Sequence, residues 1–175
     1  YNKDSYFKSV RKAWEDWQKV INNSWNPLFR FLKLLEEVTG YKSQVAEEPS
    51  YGKLFAGIIR KASNGIGRHV DYAPINSPDY DIARINSQLG WNLFVDSPSE
   101  GGITTIYNKP WNVSVVEGKD PPMSYGLSEN HILGSQKFDY KPITGDVVIF
   151  NSRNPHEVSA GNIGDRDRLQ IGSFI

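Results

Sequence analysis

The sequence predicts an α+β protein in which two amphipathic helices lead into an antiparallel β-sandwich or barrel. Three observations carry this. Apolar residues recur at helical spacing over residues 1–40, short β-rich runs take over from about residue 50, and Gly, Pro, Asn and Asp cluster between those runs. At 175 residues the chain is one domain's worth of material, with no repeat, low-complexity tract or linker to divide it.

In the first helix Tyr6, Val10, Ala13, Trp14, Trp17, Val20 and Ile21 form the apolar stripe, and Lys12, Glu15, Asp16 and Lys19 lie between them. Asn26-Pro27 supplies an N-cap and the proline favoured at the first helical position. Leu28, Phe31, Leu32, Leu35 and Val38 form the second stripe, and Gly40 stands where a C-terminal cap belongs. Both stripes read as core packing. The β-rich runs follow as Leu54–Arg60, Arg68–Tyr72, Arg84–Val95, Ile103–Tyr107, Asp146–Phe150 and Arg168–Phe174, with Asn64-Gly65 and Gly145-Asp146 as turns. Residues 112–138 lack clear periodicity and contain Pro121-Pro122 and Gly126, so this stretch is a candidate lid or binding loop.

Charge and composition narrow the classes of function. Lys+Arg and Asp+Glu balance at 20 each, which disfavours a partner recognised through phosphate contacts. No apolar run approaches the ~20 residues that cross a bilayer, and no secretory pattern opens the sequence. The expectation is a soluble, cytoplasmic protein with neither a membrane nor a nucleic acid as partner, its oligomeric state unreadable. The chain opens on Tyr1 rather than Met, as a trimmed or processed chain would. Zero cysteines exclude disulfides, thiolate zinc sites and cysteine nucleophiles.

Three histidines remain, His69, His131 and His156. His69 and Asp71 stand two apart on an expected strand, so both side chains leave one face and can take adjacent corners of a metal's coordination sphere. His156 follows the Asp146–Phe150 run after a short turn and can bring a second imidazole. Two imidazoles and one carboxylate make the facial triad of non-haem Fe(II) oxygenases. Alone, the His-x-Asp pair reads as a polar surface strand with a satisfied histidine rather than as a metal site. Along Arg168–Phe174, alternation sets Leu169 and Ile171 on one face and Arg168, Gln170 and Gly172 on the other. An inward arginine needs a carboxylate, and its planar fork suits a bidentate one. That carboxylate could be a ligand's or a protein Asp or Glu at the sheet edge.

The ordered set His69-x-Asp71, Gly101-Gly102-Ile103-Thr104, Gly145-Asp146 through Phe150, Asn154-Pro155-His156-Glu157-Val158 and Arg168 resembles the 2-oxoglutarate/Fe(II)-dependent dioxygenases, in particular the prolyl-4-hydroxylase-like branch. The resemblance covers residues 50–175. It implies a double-stranded β-helix (jelly-roll, cupin-like) barrel with the N-terminal helices packed on one sheet. Residues 1–40 would be helical support, 50–175 the barrel and 112–138 a candidate lid, all in one oxygenase domain. By the same resemblance His69, Asp71 and His156 hold iron, and Arg168, twelve positions beyond His156, binds the distal carboxylate of 2-oxoglutarate, with Arg166 as the fallback. Fe(II), 2-oxoglutarate and dioxygen are the implied cofactors and co-substrates.

The sequence departs from that pattern where relatives place a hydroxyl near the distal carboxylate. Phe94 stands at one such place and Gly172 at another. A second contact to 2-oxoglutarate must come from elsewhere, and Gln88, Asn92 and Thr104 have the parity for it. In related halogenases the carboxylate position looks like Gly or Ala, which frees a site for chloride. Asp71 fills it here, which implies hydroxylation or a related oxidation and disfavours halogenation.

Among the remaining residues, His131 reads as surface or lid, and Trp91 and Trp111 as core. Arg60, Arg68 and Arg153 read as rim residues that form salt bridges or meet an acidic substrate. The implied reaction is hydroxylation of a small molecule such as an amino acid or natural-product intermediate. The alternatives are a protein or peptidyl hydroxylase, a cupin-like metal enzyme that needs no 2-oxoglutarate, and a non-catalytic binding module.

Overall fold

Asn2 starts the first helix, α1 (Lys3–Ile21), by accepting a hydrogen bond from the Ser5 amide, one of the donors a helix start leaves unpaired. Asn26 does the same for α2 (Pro27–Thr39) through the Leu28 and Phe29 amides, and Pro27 occupies the first helical position. The helix stops at Gly40, whose φ of 73° is left-handed and whose amide donates to the Glu36 carbonyl. The computed structural model describes residues 2–111, 125–161 and 166–175. Those residues fall into two compact units, one of Tyr1–Gly57 with Tyr80–Ile82, the other of Ile58–Asp79 with Ala83–Ile175.

In the first unit Phe7 and Val10 of α1 pack with Tyr80, flanked by Tyr6, Trp14, Leu54, Phe55 and Ile82. The expected stripes fray at their ends, since Val20 and Val38 are 60% and 76% exposed in the last turns of their helices. Two short strands absent from the expectation, β1 (Glu47–Glu48) and β2 (Gly52–Lys53), form a hairpin. Glu48 is buried there because its carboxylate receives the Lys3 ammonium and the Asp81 amide.

The second unit carries β3 (Ile58–Lys61), β4 (Ile66–His69), the single turn α3 (Ala73–Asn76), β5 (Leu89–Asp96), β6 (Thr104–Tyr107), β7 (Lys137–Tyr140), β8 (Val147–Asn151), β9 (His156–Val158) and β10 (Leu169–Phe174). They form two antiparallel four-stranded sheets, in the orders β3-β10-β5-β8 and β4-β9-β6-β7. Several boundaries move relative to the sequence reading. The run expected from Leu54 becomes strand only at Ile58, and the run expected from Arg84 opens with a 3-10 turn, Asp81–Arg84, before strand begins at Leu89. β4 ends at His69, so Asp71 lies past the strand and is held by its amide donating to the Ser152 carbonyl at 3.0 Å. Of the candidate lid at 112–138, residues 112–124 lie outside the described residues, and the rest includes the 3-10 turn Glu129–His131 and the start of β7. No helix among the described residues is long and apolar enough to cross a membrane.

Candidate active site

Residues of both four-stranded sheets line one cavity of about 580 Å³, counted to its open mouth. His69, Asp71 and His156 lie among its lining, as do Asn92, Thr104, Gln170 and Arg168.

Strand pairing brings the imidazoles together. His69 of β4 and His156 of β9 are direct cross-strand partners, which sets their side chains next to each other on one face. The register is the product of a bulge. Ile66 pairs with Val158 and His69 with His156, so three steps on β4 match two on β9. In an unbroken ladder Arg68, not His69, would oppose His156; the extra residue re-aims the imidazole. Each ring is then turned by a carbonyl two residues earlier in the chain. His69 Nδ1 lies 2.7 Å from the Gly67 oxygen and His156 Nδ1 2.9 Å from the Asn154 oxygen. A carbonyl only accepts, so Nδ1 carries the hydrogen in each neutral ring and the Nε2 lone pair is free for a metal.

Both Nε2 atoms lie 3.5 Å from Asp71 Oδ2, and one ligand atom from each of the three residues falls within 4.8 Å of the others. Burial pushes the Asp71 carboxyl up, but the His156 and His69 imidazoles that face it outweigh this and hold the group far below the usual carboxylate range. Two nitrogens and one anionic oxygen converging on one point fit a borderline divalent cation such as Fe(II) and leave further coordination positions open.

Arg168 supplies a buried cation to the lining of the cavity. It is 1% exposed, and its guanidinium donates to the Gly102 carbonyl at 3.0 Å, to Thr104 Oγ1 at 2.9 Å and to Gln170 Oε1. The Phe94 ring lies 5.1 Å from the guanidinium carbon. No carboxylate pairs with Arg168 among the described residues. Burial lowers its pKa to about 10, and the neighbouring charge of Arg60 adds to the effect. Gly102 makes the approach of its stem feasible. With φ at +63°, a Cβ there would stand 3.2 Å from Arg168 Cδ and 3.0 Å from Pro98 Cγ.

The other expected site residues divide. Asn92 Oδ1 accepts from Gln170 Nε2 at 2.8 Å, and Gly172 leaves it room, since a Cβ at Gly172 would lie 2.5 Å from that oxygen. Gln88 is a correction. It does not line the cavity; it precedes β5 and spans the turn after β4, accepting from the Ala73 amide at 2.8 Å and donating to the Asp71 carbonyl at 3.2 Å. Ser152 Oγ also donates to that carbonyl, so the backbone that carries Asp71 is fastened from two sides. Arg166 is on the surface near Asp96. Arg68 forms the salt bridges expected of it, to Glu129 and Glu157. Arg60 instead lines the cavity, with no ion pair among the described residues. Arg153 lies over the Tyr72 ring and donates to the Trp111 carbonyl. His131 is exposed and stacks on Trp111, while Trp91 is buried beside the cavity. The sequence reading missed Tyr125, whose ring stacks on His69.

An antiparallel sheet pair with a buried two-histidine, one-carboxylate cluster facing a buried arginine defines the chain's class as that of the non-haem iron oxygenases. The fold agrees. A solved N-substituted L-amino acid dioxygenase from Burkholderia ambifaria AMMD, in complex with alpha-KG, superposes with a TM-score of 0.59 at 15% identity, over 97% of this chain and 64% of that one. The family model described as carrier-protein-independent halogenase WelO5 matches residues 1–175, and the chain belongs to this Fe/2-oxoglutarate-dependent family. Leucinostatins biosynthesis cluster protein S of Purpureocillium lilacinum is 31% identical over 180 residues, spanning 99% of this chain and 73% of that protein. L-gamma-glutamyl-L-propargylglycine hydroxylase of Streptantibioticus cattleyicolor is 28% identical over 125 residues, 69% of this chain and 44% of the hydroxylase. The chain thus spans less than half of that hydroxylase and just under two thirds of the solved dioxygenase.

Proposed function

We propose that this protein is a non-haem Fe(II) oxygenase that couples oxidative decarboxylation of 2-oxoglutarate to hydroxylation of a small molecule, such as an amino acid or natural-product intermediate. In the balanced reaction 2-oxoglutarate, dioxygen and a C–H bond become succinate, carbon dioxide and C–OH. One observation carries the reading. A single cavity holds a preformed metal-donor cluster and a buried guanidinium that no described carboxylate neutralises. A dicarboxylate with a chelating keto-acid end satisfies both.

In this reading His69, Asp71 and His156 hold the iron, which supplies the chemistry of dioxygen activation when bound. Arg168 binds the distal carboxylate of 2-oxoglutarate as a fork, already turned by Gly102, Thr104 and Gln170. The Thr104 hydroxyl and the Asn92 amide stand beside that carboxylate where relatives use other residues, and Arg60 adds charge. Trp91 and Phe150, which also line the cavity, keep it apolar beside the donors and limit water.

Asp71 favours hydroxylation over halogenation, because its carboxylate occupies the position a halide would need. The hydroxylase relative supports this choice within a family whose model is described by a halogenase. We further infer that the two sheets close as a double-stranded β-helix and that both units make one oxygenase domain. The fold likeness and a family match unbroken from residue 1 to 175 support these inferences.

The test is an anaerobic titration of the metal-free protein with Fe(II), then 2-oxoglutarate. A visible charge-transfer band needing both, and lost in His156→Ala and Arg168→Ala, is the expected result. Iron bound without a band on adding 2-oxoglutarate would favour a metal enzyme of another kind, and no iron binding would end the catalytic reading.

A further inference from the structure

Tyr125 touches two of the three donor residues. Its ring lies 4.8 Å from the His69 ring, within 5° of parallel, and its hydroxyl donates to Asp71 Oδ1 at 3.3 Å. The side chain is 56% exposed, yet its backbone is pinned. Tyr125 bridges to His69, and the amides of Gly126 and Leu127 both donate to the Arg68 carbonyl, at 2.9 and 3.1 Å. Arg68 reaches back to the Leu127 carbonyl and to Glu129, so β4 and the 125–129 segment are fastened through one residue.

The two oxygens of Asp71 therefore have different surroundings. Oδ2 is 3.5 Å from both Nε2 atoms, while Oδ1 is the acceptor of the Tyr125 hydroxyl. We propose that Tyr125 is a positioning residue that restricts Asp71 to a single ligating oxygen. The proposal rests on the reading of His69, Asp71 and His156 as the metal site. A facial triad is useful because three positions on the ion stay open, two for a chelating keto acid and one for dioxygen. A carboxylate that turned to offer both oxygens would fill one of them. The Tyr125 hydroxyl opposes that rotation by holding Oδ1, and the stacked ring holds the His69 imidazole in plane. The same contact explains why a tyrosine that is more than half exposed lies flat on a buried histidine.

Co(II), a spectroscopic stand-in for Fe(II), tests this without turnover. The wild-type protein, Tyr125→Phe, Tyr125→Leu and Asp71→Ala are titrated with Co(II), and the ligand-field bands are recorded before and after adding 2-oxoglutarate. Tyr125→Phe, which keeps the stack and loses only the hydroxyl, should shift the bands, because a second carboxylate oxygen then takes a position that solvent or the keto acid would hold. It should also raise the 2-oxoglutarate concentration at half-effect roughly tenfold, the scale on which outer partners of metal ligands act. The melting temperature of the metal-free variant should not move. Wild-type bands and midpoint in Tyr125→Phe would overturn the proposal and leave the triad standing, as would a change confined to Tyr125→Leu. Absent bands in the wild type, or unchanged bands in Asp71→Ala, would overturn the triad and the proposal with it.

Discussion

The donor cluster and the guanidinium of this cavity are positioned by different means. The imidazoles are set by their own neighbours, each by a carbonyl two residues earlier in the chain. Arg168 is set by Gly102, Thr104 and Gln170, two of which are distant in sequence. Local bonds set the tilt of each imidazole once β4 and β9 have paired, whereas the guanidinium takes its whole orientation from contacts on several elements at once. Substitutions at the donors should therefore act on chemistry with little effect on folding, and substitutions around Arg168 should act on both.

The largest expected effect breaks the donor cluster. Asp71→Ala should abolish hydroxylation while the metal-free protein keeps its circular dichroism and melting curve; retained turnover would remove Asp71 from the metal. Next, Arg168→Ala should raise the 2-oxoglutarate requirement at least tenfold in steady-state assays, the scale of ~1.5–3 kcal/mol for a charge-assisted pair. Arg168→Lys should rescue little, since an ammonium lacks the fork.

Arg168 also predicts a pH dependence. Its folded pKa is lowered to about 10, so the charge is present below that pH, where it costs the unliganded fold stability and attracts the dianion. Raising pH through about 10 removes the charge and, in the proposed role, the attraction, and the cost to the fold is relieved progressively as pH rises further toward the ordinary guanidinium value. The thermal shift that excess 2-oxoglutarate gives the metal-free protein should thus fade above pH ~10, and a shift undiminished at higher pH would contradict a displaced guanidinium.

Smaller effects sharpen the contrast. Gly102→Ala places a Cβ at a positive φ and against Arg168 Cδ, and should cost about 1–2 kcal/mol, or roughly 2–8 °C in melting temperature, with a weaker 2-oxoglutarate affinity. Arg60→Gln should raise the 2-oxoglutarate KM only a few-fold, and less at high salt, because its side chain is exposed and screened.

The contrast also explains what could be read from the sequence. Asn26, Pro27 and Gly40 bounded α2 because caps act within a turn. The order His69-x-Asp71, His156 and Arg168 was visible because family resemblance preserves spacing, and the alternation along Arg168–Phe174 survived because β10 is paired on both sides. The β1–β2 hairpin and β9 were not visible, since strands of two or three residues give too little periodicity to detect, and β7 begins inside the stretch read as a candidate lid. Gln88 was misread because parity says which face a residue takes and not whether the strand has begun. Tyr125 meets Asp71 and His69 only through tertiary pairing, and nothing local announces it. Arg60 looked like a salt-bridge residue until its cross-strand neighbour Gln170 placed it at the cavity.

The bulge between Ile66 and His69 gives this centre an unusual kind of fragility. Its donors are encoded by a count of residues as well as by their identities. A substitution that flattened the bulge without changing the number of residues would carry every ligand-type side chain intact and still present a guanidinium to His156. Loss of the bulge would therefore separate the proposed metal donors without touching one of them, and a comparison of relatives by ligand identity alone would miss it.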